Sequence, residues 1–181
     1  EDNMLSFFGR LNYTMMDKYL LTVTMRADGS AKFAKGNRWG YFPSAAVAWR
    51  IMDEDFMEGS RDWLSNLKLR LSYGTAGNNR IGSGLMYTTY SMAAATSKGP
   101  YFDEKFNSML EHGSTLSNPG LKWETTITRN LGFDFGFLNN RISGSIDAYW
   151  NSTKDLLMKT EIPSNTGYSY QYQNFGKTSN K

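Results

Sequence analysis

The feature that most constrains this chain is a side-chain alternation with a period of two. Apolar residues alternate with polar ones over residues 5–14, 19–28, 44–51, 66–73, 123–137 and 141–150. Side chains of a β-strand point alternately to opposite faces, so each segment predicts a strand with one apolar and one polar face. Lys68 and Arg70 stand on the polar side of their segment, where a strand buried on both faces could not accept them. The pattern therefore predicts an all-β fold of one-sided strands.

The connections between the predicted strands favour a membrane protein. Residues 15–18 and 138–140 are short, 53–65 is intermediate, and 29–43, 76–121 and 152–167 are long. A transmembrane β-barrel has short inner turns and long outer loops, and its strands of about 10 residues cross the hydrocarbon layer. Aromatic residues at the predicted strand ends suit the interfacial girdles of such a barrel: Tyr13, Tyr19, Trp49, Tyr73, Trp123, Phe137 and Trp150. An antiparallel transmembrane β-barrel segment is the predicted fold.

Composition excludes several other classes. The 181 residues carry a net charge of +3, with Lys and Arg scattered among carboxylates, so nucleic acid is not an expected partner. The absence of cysteine excludes a disulfide framework and a thiolate metal site. Two rival functions stay open. One is a soluble carbohydrate-binding or adhesin β-sandwich, which would bury the same apolar faces against a second sheet. The other is a glycan-degrading enzyme, for which no acid pair stands out.

Catalytic constellations are poor, so an enzyme is not expected and no cofactor or metal is predicted. His112 is the single histidine, which leaves triad or metal chemistry to one loop imidazole. Residues 53–55 are acidic but lack the spaced ligands and glycine of a calcium loop, so they are expected to form a solvated inner turn. Adjacent Asp103 and Glu104 would point to opposite faces of a strand, which does not suit a glycosidase acid pair.

Specific motifs then add a family resemblance. Asp-Lys-Tyr-Leu-Leu at 17–21 and Arg-Ala-Asp-Gly-Ser-Ala-Lys-Phe at 26–33 are followed in order by motifs at 37–44, 67–79, 118–124, 130–134 and 139–145. This series resembles the SusC-like (SusC/RagA) TonB-dependent transporters, which are outer-membrane barrels of Gram-negative bacteria. The resemblance covers nearly the whole chain. It is weakest over 80–117, which predicts a variable outer loop there.

The resemblance implies a larger protein than this chain. Barrels of this class have about 22 strands, and family members carry an N-terminal plug domain inside the barrel. Residues 1–181 are expected to be part of one β-barrel domain, a segment of its C-terminal half with about seven strands. The plug domain, the N-terminal region and the strands that close the barrel are expected to be absent from it.

The implied activity is active import across the outer membrane. A SusD-like surface lipoprotein would cap the barrel and capture an oligosaccharide or peptide substrate, and the TonB complex would act through the plug. Membrane lipid and lipopolysaccharide would surround the wall that this segment supplies.

Two sets of residues are candidates for contacts inside such a transporter. Polar-face residues are expected to line the lumen or contact the plug: Arg10, Arg26, Asp28, Arg50, Lys68, Arg70 and Asp134. Aromatic residues expected in the outer loops can stack on sugar rings or pack against the lid: Trp39, Tyr41, Tyr87, Tyr90, Tyr101 and Phe102.

Two further features carry expectations about position. Arg129 stands on the apolar face, where a charge at the bilayer midplane costs about 2–4 kcal/mol, so it is expected near a barrel rim or above the membrane. Tyr168, Tyr170 and Tyr172 alternate as in a strand and are expected at a girdle or lumen position.

Overall fold

The computed structural model describes residues 2–93, 101–102, 105–106 and 109–181. Short 3-10 helices cover Ile51–Asp53, Asp55–Ser60 and Ser164–Thr166. Within the described ranges, no helix has the length and apolar character needed to cross a membrane. The strands are β1 (Met4–Met15), β2 (Tyr19–Ser30), β3 (Trp39–Arg50), β4 (Leu64–Asn78), β5 (Tyr90–Ala93), β6 (Tyr101–Phe102), β7 (Lys105–Phe106), β8 (Met109–His112), β9 (Thr115–Leu116), β10 (Glu124–Phe137), β11 (Ile142–Lys154), β12 (Leu157–Glu161), β13 (Tyr170–Asn174) and β14 (Lys177–Asn180).

Seven strands form one antiparallel sheet in the order β1-β2-β3-β4-β10-β11-β14. Its first six members are the six strands that the alternation predicts, so the predicted all-β barrel segment of about seven strands is confirmed. The strands are longer than expected at one end of the sheet. β2 continues to Ser30 and β3 begins at Trp39, so the predicted loop 29–43 shrinks to residues 31–38. In these extensions, Gly29 opposes Trp39 and Asp28 opposes Gly40. Each extension therefore contains a glycine, which has no side chain to show the alternation of apolar and polar residues.

Three short connections lie at one end of the sheet, which we call the turn end. Met16 and Asp17 adopt φ of 52° and 55°, and the Lys18 amide donates to the Met15 carbonyl at 3.1 Å. Asn139 and Asn140 adopt φ of 56° and 60°, as asparagine tolerates. Both predicted tight turns are therefore confirmed. The third connection, 51–63, contains the two short 3-10 helices.

The opposite end, which we call the loop end, carries residues 31–38, 79–123 and 155–176. These segments are not free of regular structure, because they contain small sheets of order β12-β13-β9, β5-β8 and β6-β7. The tyrosine run 168–172 overlaps β13 of the first small sheet and not a strand of the main sheet, and its expected girdle or lumen position stays a prediction. The seventh strand of the main sheet is instead β14, whose polar sequence gives no alternation signal.

Candidate functional site

The strand register sorts the main sheet into two faces of opposite character. Directly opposed residues of antiparallel strands lie on the same face. One complete row of the apolar face runs across six strands through Tyr13, Leu21, Val47, Leu71, Leu131 and Ala148. Leu11 and Ile146 on this face are 64% and 65% exposed. A β-sandwich would cover them with a second sheet, and the described residues form no such layer.

The apolar band runs diagonally across the strands. Trp49 shares its row with Ile146, yet on β11 the apolar side chains continue to Ile142, four residues nearer the turn end. Ala45 shares its row with Trp150, yet on β3 aromatic side chains continue to Trp39, six residues nearer the loop end. The apolar band on β11 therefore lies nearer the turn end than the band on β3 by four to six residues. At about 3.4 Å per residue, this shift is roughly 13–20 Å. A band parallel to the membrane plane crosses strands tilted near 45° at positions that shift along each successive strand. With strands about 4.8 Å apart, the three spacings from β3 to β11 give a shift of about 14 Å. A tilted barrel wall in a membrane therefore accounts for the band.

The seven polar candidates share the opposite face, which we call the polar face. Their positions in the register alternate with those of the apolar rows: Arg10, Arg26, Asp28, Arg50, Lys68, Arg70 and Asp134. Their contact with a plug or a substrate stays a prediction. What the structure adds is that several of them are bound to each other or to neighbouring side chains.

The strongest polar cluster bridges three strands, with Arg70 at its centre. The Arg70 guanidinium donates to both oxygens of Asp134 at 2.9 and 2.8 Å, and to Asp147 at 3.2 and 3.3 Å. Gly132 lies beneath it, since an added Cβ there would lie 2.8 Å from the Arg70 Cζ. The side chains of Arg70 and Asp134 are 36% and 24% exposed, so water reaches the cluster. Arg70 therefore bridges two carboxylates of the wall, and its partly exposed guanidinium remains accessible to water.

Asp28 does not line open water as expected. The single N–H of the Arg26 Nε is shared between the two oxygens of the Asp28 carboxylate, at 2.8 and 2.7 Å, and Asp28 is only 4% exposed. Ser30 is 3% exposed, and its hydroxyl accepts a hydrogen bond from the Asn79 amide at 3.1 Å. Segments from the loop end cover this part of the polar face, so Asp28 is shielded from open water, and its contact with a plug stays a prediction.

In the described part of the chain, the cluster of buried apolar side chains lies at the loop end and not between two sheets. We call it the loop core, and it consists of Phe33, Phe42, Ile81, Leu121 and Trp123. Leu121 is 1% exposed and Phe33 is completely buried. The Trp123 ring packs 5.4 Å from Phe33 and edge-on at 5.5 Å from Phe42, measured between centroids. Parts of the connections 31–38 and 79–123 therefore pack together in the described structure and are not simply hydrated chain.

Hydrogen bonds between side chains and backbone groups connect different segments of the chain around the loop core. The Trp123 indole donates to the Arg38 carbonyl at 3.0 Å, and the Arg38 Nε donates to the Phe33 carbonyl at 3.2 Å. The Asn174 amide donates to the Lys122 carbonyl at 2.8 Å, and its oxygen accepts the Lys122 amide at 2.9 Å. The expected girdle position of Trp123 is therefore wrong, because its ring is 7% exposed within the loop core.

Two of the aromatic candidates do not lie in a loop. Trp39 and Tyr41 are the first and third residues of β3, and they oppose Gly29 and Ala27 on the apolar face. The Trp39 ring stacks on Phe7 of β1, with centroids 6.1 Å apart and an interplanar angle of 19°. Tyr41 is 64% exposed on the same face. Their predicted loop location is corrected, and the face they occupy is the one on which girdle residues lie.

The other aromatic candidates belong to the long 79–123 connection. Tyr87 lies before β5 and is 62% exposed, and Tyr90 opens β5 opposite His112 and is 66% exposed. Tyr101 and Phe102 form β6, but their side chains lie outside the described residues, as do Asp103 and Glu104. Tyr87 and Tyr90 therefore present accessible rings at the loop end, and their contact with lid or cargo stays a prediction.

Sequence reasoning missed a clamp at the turn end. The Glu54 carboxylate accepts hydrogen bonds from the Tyr19 hydroxyl at 2.6 Å, the Trp49 indole at 3.0 Å and the Lys18 ammonium at 3.2 Å. These donors, the Tyr19 hydroxyl first, hold the pKa of Glu54 below its usual value, and Glu54 in turn raises the pKa of Lys18. The expected solvated turn is therefore wrong for Glu54, whose side chain is 14% exposed, although Asp55 is 98% exposed. The clamp joins two neighbouring turns.

Comparisons with known proteins agree with this architecture. A family model described as TonB dependent receptor-like, beta-barrel, matches residues 1–181. The TonB-dependent receptor SusC of Bacteroides thetaiotaomicron is 43% identical over an alignment of 181 positions, which covers 99% of this chain and 18% of SusC. A chain of the RagAB peptide importer in its closed-closed state superposes with a TM-score of 0.83 at 32% identity, over 97% of this chain and 18% of that one.

A more distant likeness extends to the fold alone. The siderophore receptor PirA from Pseudomonas aeruginosa superposes with a TM-score of 0.60 at 15% identity, over 98% of this chain and 29% of PirA. The chain thus spans about 18% of the length of SusC and of the matching RagAB chain. With the family model matching from end to end, the chain belongs to the TonB-dependent receptor β-barrel family and is of the SusC and RagA type.

Proposed function

We propose that this chain forms part of the wall of an active outer-membrane transporter that imports oligosaccharides or peptides into a Gram-negative bacterium. A SusD-like surface lipoprotein closes over its loop end. The TonB complex drives import through parts of the transporter outside residues 1–181. The segment performs no enzymatic chemistry of its own.

The observation that carries this proposal is the division of one sheet into two chemically distinct faces. The apolar face follows the diagonal expected of tilted membrane strands, and the polar face holds paired charges such as Arg70 with Asp134 and Asp147. A wall of this kind separates lipid from a polar lumen. The described relatives support the finer statement, because SusC is a TonB-dependent receptor and RagAB a peptide importer.

Within this function, the loop end is the side from which cargo and lid approach. Long loops lie on the outer side of such barrels, and Tyr87 and Tyr90 are exposed there. Together with Tyr101 and Phe102 of the same connection, they are the rings proposed to contact cargo or lid. Trp39 and Tyr41 occupy the apolar face and are proposed to anchor the wall at the membrane interface.

Uptake by the full-length parent transporter tests this proposal. Cells that lack the parent gene are complemented with the wild type, and uptake of labelled oligosaccharide and peptide mixtures is measured with and without an intact TonB complex. We expect TonB-dependent uptake of one mixture and co-purification of a surface lipoprotein with the tagged transporter. Uptake that is independent of TonB, or recovery of the parent protein in the soluble fraction, would contradict the proposal.

Paired variants test the placement of the aromatic residues. The Tyr87→Ala/Tyr90→Ala variant is expected to lower uptake or lipoprotein recovery, because it removes exposed rings from the loop end. The matched Tyr41→Ala variant removes an equally exposed ring from the apolar face and is expected to leave uptake per inserted transporter unchanged. Equal losses in both variants would contradict the assignment of the two faces.

A further inference from the structure

Arg129 is a charged residue on the apolar face of the sheet. It opposes Tyr73 on β4 and Trp150 on β11, in the same row as Ala45, Val23 and Leu11. Its guanidinium carbon lies 5.8 Å from the centroid of the Tyr73 ring. Within the described ranges, no carboxylate oxygen lies within 4.0 Å of it, whereas Arg70 of the polar face binds two carboxylates. Arg129 therefore lies among aromatic rings with its charge uncompensated by the described part of the sheet.

An open apolar groove begins beside Arg129. It has a volume of about 450 Å³, and its apolar lining consists of Ala45, Val47, Leu71, Tyr73, Leu131 and Trp150. Ala45 has the smallest side chain of these residues, so the groove is deeper over Ala45 than over its larger neighbours. Val47, Leu71 and Leu131 form one row of the apolar face, and this row lies on the turn-end side of Arg129. The groove therefore runs from the charged residue into the apolar band.

Two more cations lie on the same face, nearer the loop end. Lys154 is four residues beyond Trp150, roughly 13 Å along the strand. It is directly opposed to Lys177 of β14, and both residues are exposed. Like charges directly opposite each other destabilise a strand pair, and neither ammonium is within 4.0 Å of a carboxylate of the described residues. A bound anion would offset this repulsion.

We propose that this surface is a binding site for an anionic, phosphate-bearing lipid of the outer leaflet. One acyl chain lies in the groove over Ala45, and the phosphate accepts hydrogen bonds from the Arg129 guanidinium. Lys154 and Lys177 lie nearer the loop end, and their positive charge favours an anionic headgroup over a neutral one. Arginine suits this role because its planar donors match phosphate oxygens. The proposal depends on the membrane position of the wall and does not require the import activity.

The apolar groove and the neighbouring cations together favour a charged lipid as the ligand of this site. A free phosphate ion would need only the cations, and a neutral lipid would need only the groove. The site joins an apolar lining to a cation at its loop-end rim, as an acyl chain joined to a phosphate requires. A lipid is also the molecule that contacts this face in a membrane.

Lipid titration of the full-length parent transporter tests this site. The transporter is purified in detergent, stripped of lipid, and titrated with phosphatidylglycerol or with phosphatidylcholine, and native mass spectrometry counts the bound lipids. The wild type is expected to bind phosphatidylglycerol in preference to phosphatidylcholine. Arg129→Gln is expected to weaken phosphatidylglycerol binding about tenfold, the loss that follows from one charge-assisted contact.

Matched variants separate the two parts of the site. Lys68→Gln removes a cation from the polar face and is expected to leave lipid binding unchanged. Ala45→Leu fills the groove and is expected to weaken both lipids, and Arg129→Lys is expected to restore part of the preference. Each variant is first shown to retain the melting temperature of the wild type. If Arg129→Gln does not, Lys154→Gln/Lys177→Gln is used in its place and is expected to lower the preference for phosphatidylglycerol.

Three results would overturn the proposal. Equal binding of phosphatidylglycerol to the wild type and Arg129→Gln would exclude Arg129 as the phosphate contact. Unchanged binding to Ala45→Leu would exclude the groove as the acyl site. Displacement of phosphatidylglycerol by excess inorganic phosphate alone would show an anion site without a lipid.

Discussion

The substitution Gly77→Ala tests how the outer loops are stabilised. Gly77 has an ordinary negative φ, so alanine fits its backbone without strain. An added Cβ would nevertheless lie 2.5 and 2.6 Å from the Cε2 and Cε1 carbons of Phe42. The ring has no free space on the other side, because a Cβ at Gly40 would meet it at 2.5 Å and Trp123 packs against it edge-on. Alanine at position 77 therefore expels Phe42 from the loop core.

The cost follows from what Phe42 loses. The residue is 5% exposed, and full burial of such a side chain contributes about 1.5–3 kcal/mol. Loss of its edge-on pair with Trp123 adds about 0.5–1.5 kcal/mol. We expect the opening free energy of the loop core to fall by about 3 kcal/mol, which is about a 100-fold change in an opening equilibrium.

Hydrogen exchange of the full-length transporter measures this opening. The reporters are the amides of Ser30, bonded to the Arg38 carbonyl at 3.0 Å, and Asn118, bonded to the Leu85 carbonyl at 2.8 Å. Gly74→Ala is the matched control on the same strand, since its Cβ would lie 3.5 Å from the nearest atom, an ordinary contact. We expect its exchange to match that of the wild type.

A double-mutant cycle decides whether Phe42 is the cause. Phe42→Ala alone costs about 3–5 kcal/mol by the usual range for such truncations. Once the ring is gone, Gly77→Ala is expected to add almost nothing. The reasoning is refuted if Gly77→Ala exchanges like Gly74→Ala, or if its effect persists undiminished in the Phe42→Ala background.

Three further outcomes test other parts of the wall. Arg70→Gln and Asp134→Asn are expected to show a coupling of about 1 kcal/mol in exchange of β10 amides, because their partly exposed pair is screened by water; additive effects would show that the pair contributes nothing. The lowered pKa of Glu54 means that its stabilising contribution is present above its ordinary value of 4.5 and is lost as the pH falls through the folded-state pKa. The difference in melting temperature between the wild type and Glu54→Gln is therefore expected to vanish in acid, and a difference independent of pH would exclude the carboxylate as its source. Thr22→Cys on the polar face is expected to react with a water-soluble maleimide in isolated outer membranes and Val23→Cys to remain unlabelled, because a thiolate forms in water and not in hydrocarbon, and the reverse pattern would invert the two faces.

The strands and their two faces could be predicted from the sequence because alternation is a local property. The signal is strong wherever an apolar run opposes charges, as at Lys68 and Arg70. It fails where glycine replaces a side chain, so the pattern predicts a loop at the loop-end extensions of β2 and β3 near Gly29 and Gly40. For this reason, the sequence predicts a loop location and cargo contact for Trp39 and Tyr41, although the register puts them on the apolar face.

The candidate site was predicted in part for the same reason. The seven polar residues were found together because they occupy the polar positions of their strands. Their binding partners could not be predicted, because Asp147 reaches Arg70 only through two successive strand pairings, β4 with β10 and β10 with β11. The same limit applies to Tyr170, whose alternating pattern shows a strand but not that β12 and β9 are its neighbours.

The sequence by itself determined the type of sheet, its polar and apolar faces and its tight turns, because each depends on residues adjacent along the chain. The tertiary structure decided which segments meet. It brought Trp123 to the carbonyl of Arg38, Glu54 to Trp49 and Tyr19, and the groove to the side of Arg129. Hydrogen bonds and packing between segments far apart in the chain leave no periodic trace in either segment, so only the folded sheet reveals them.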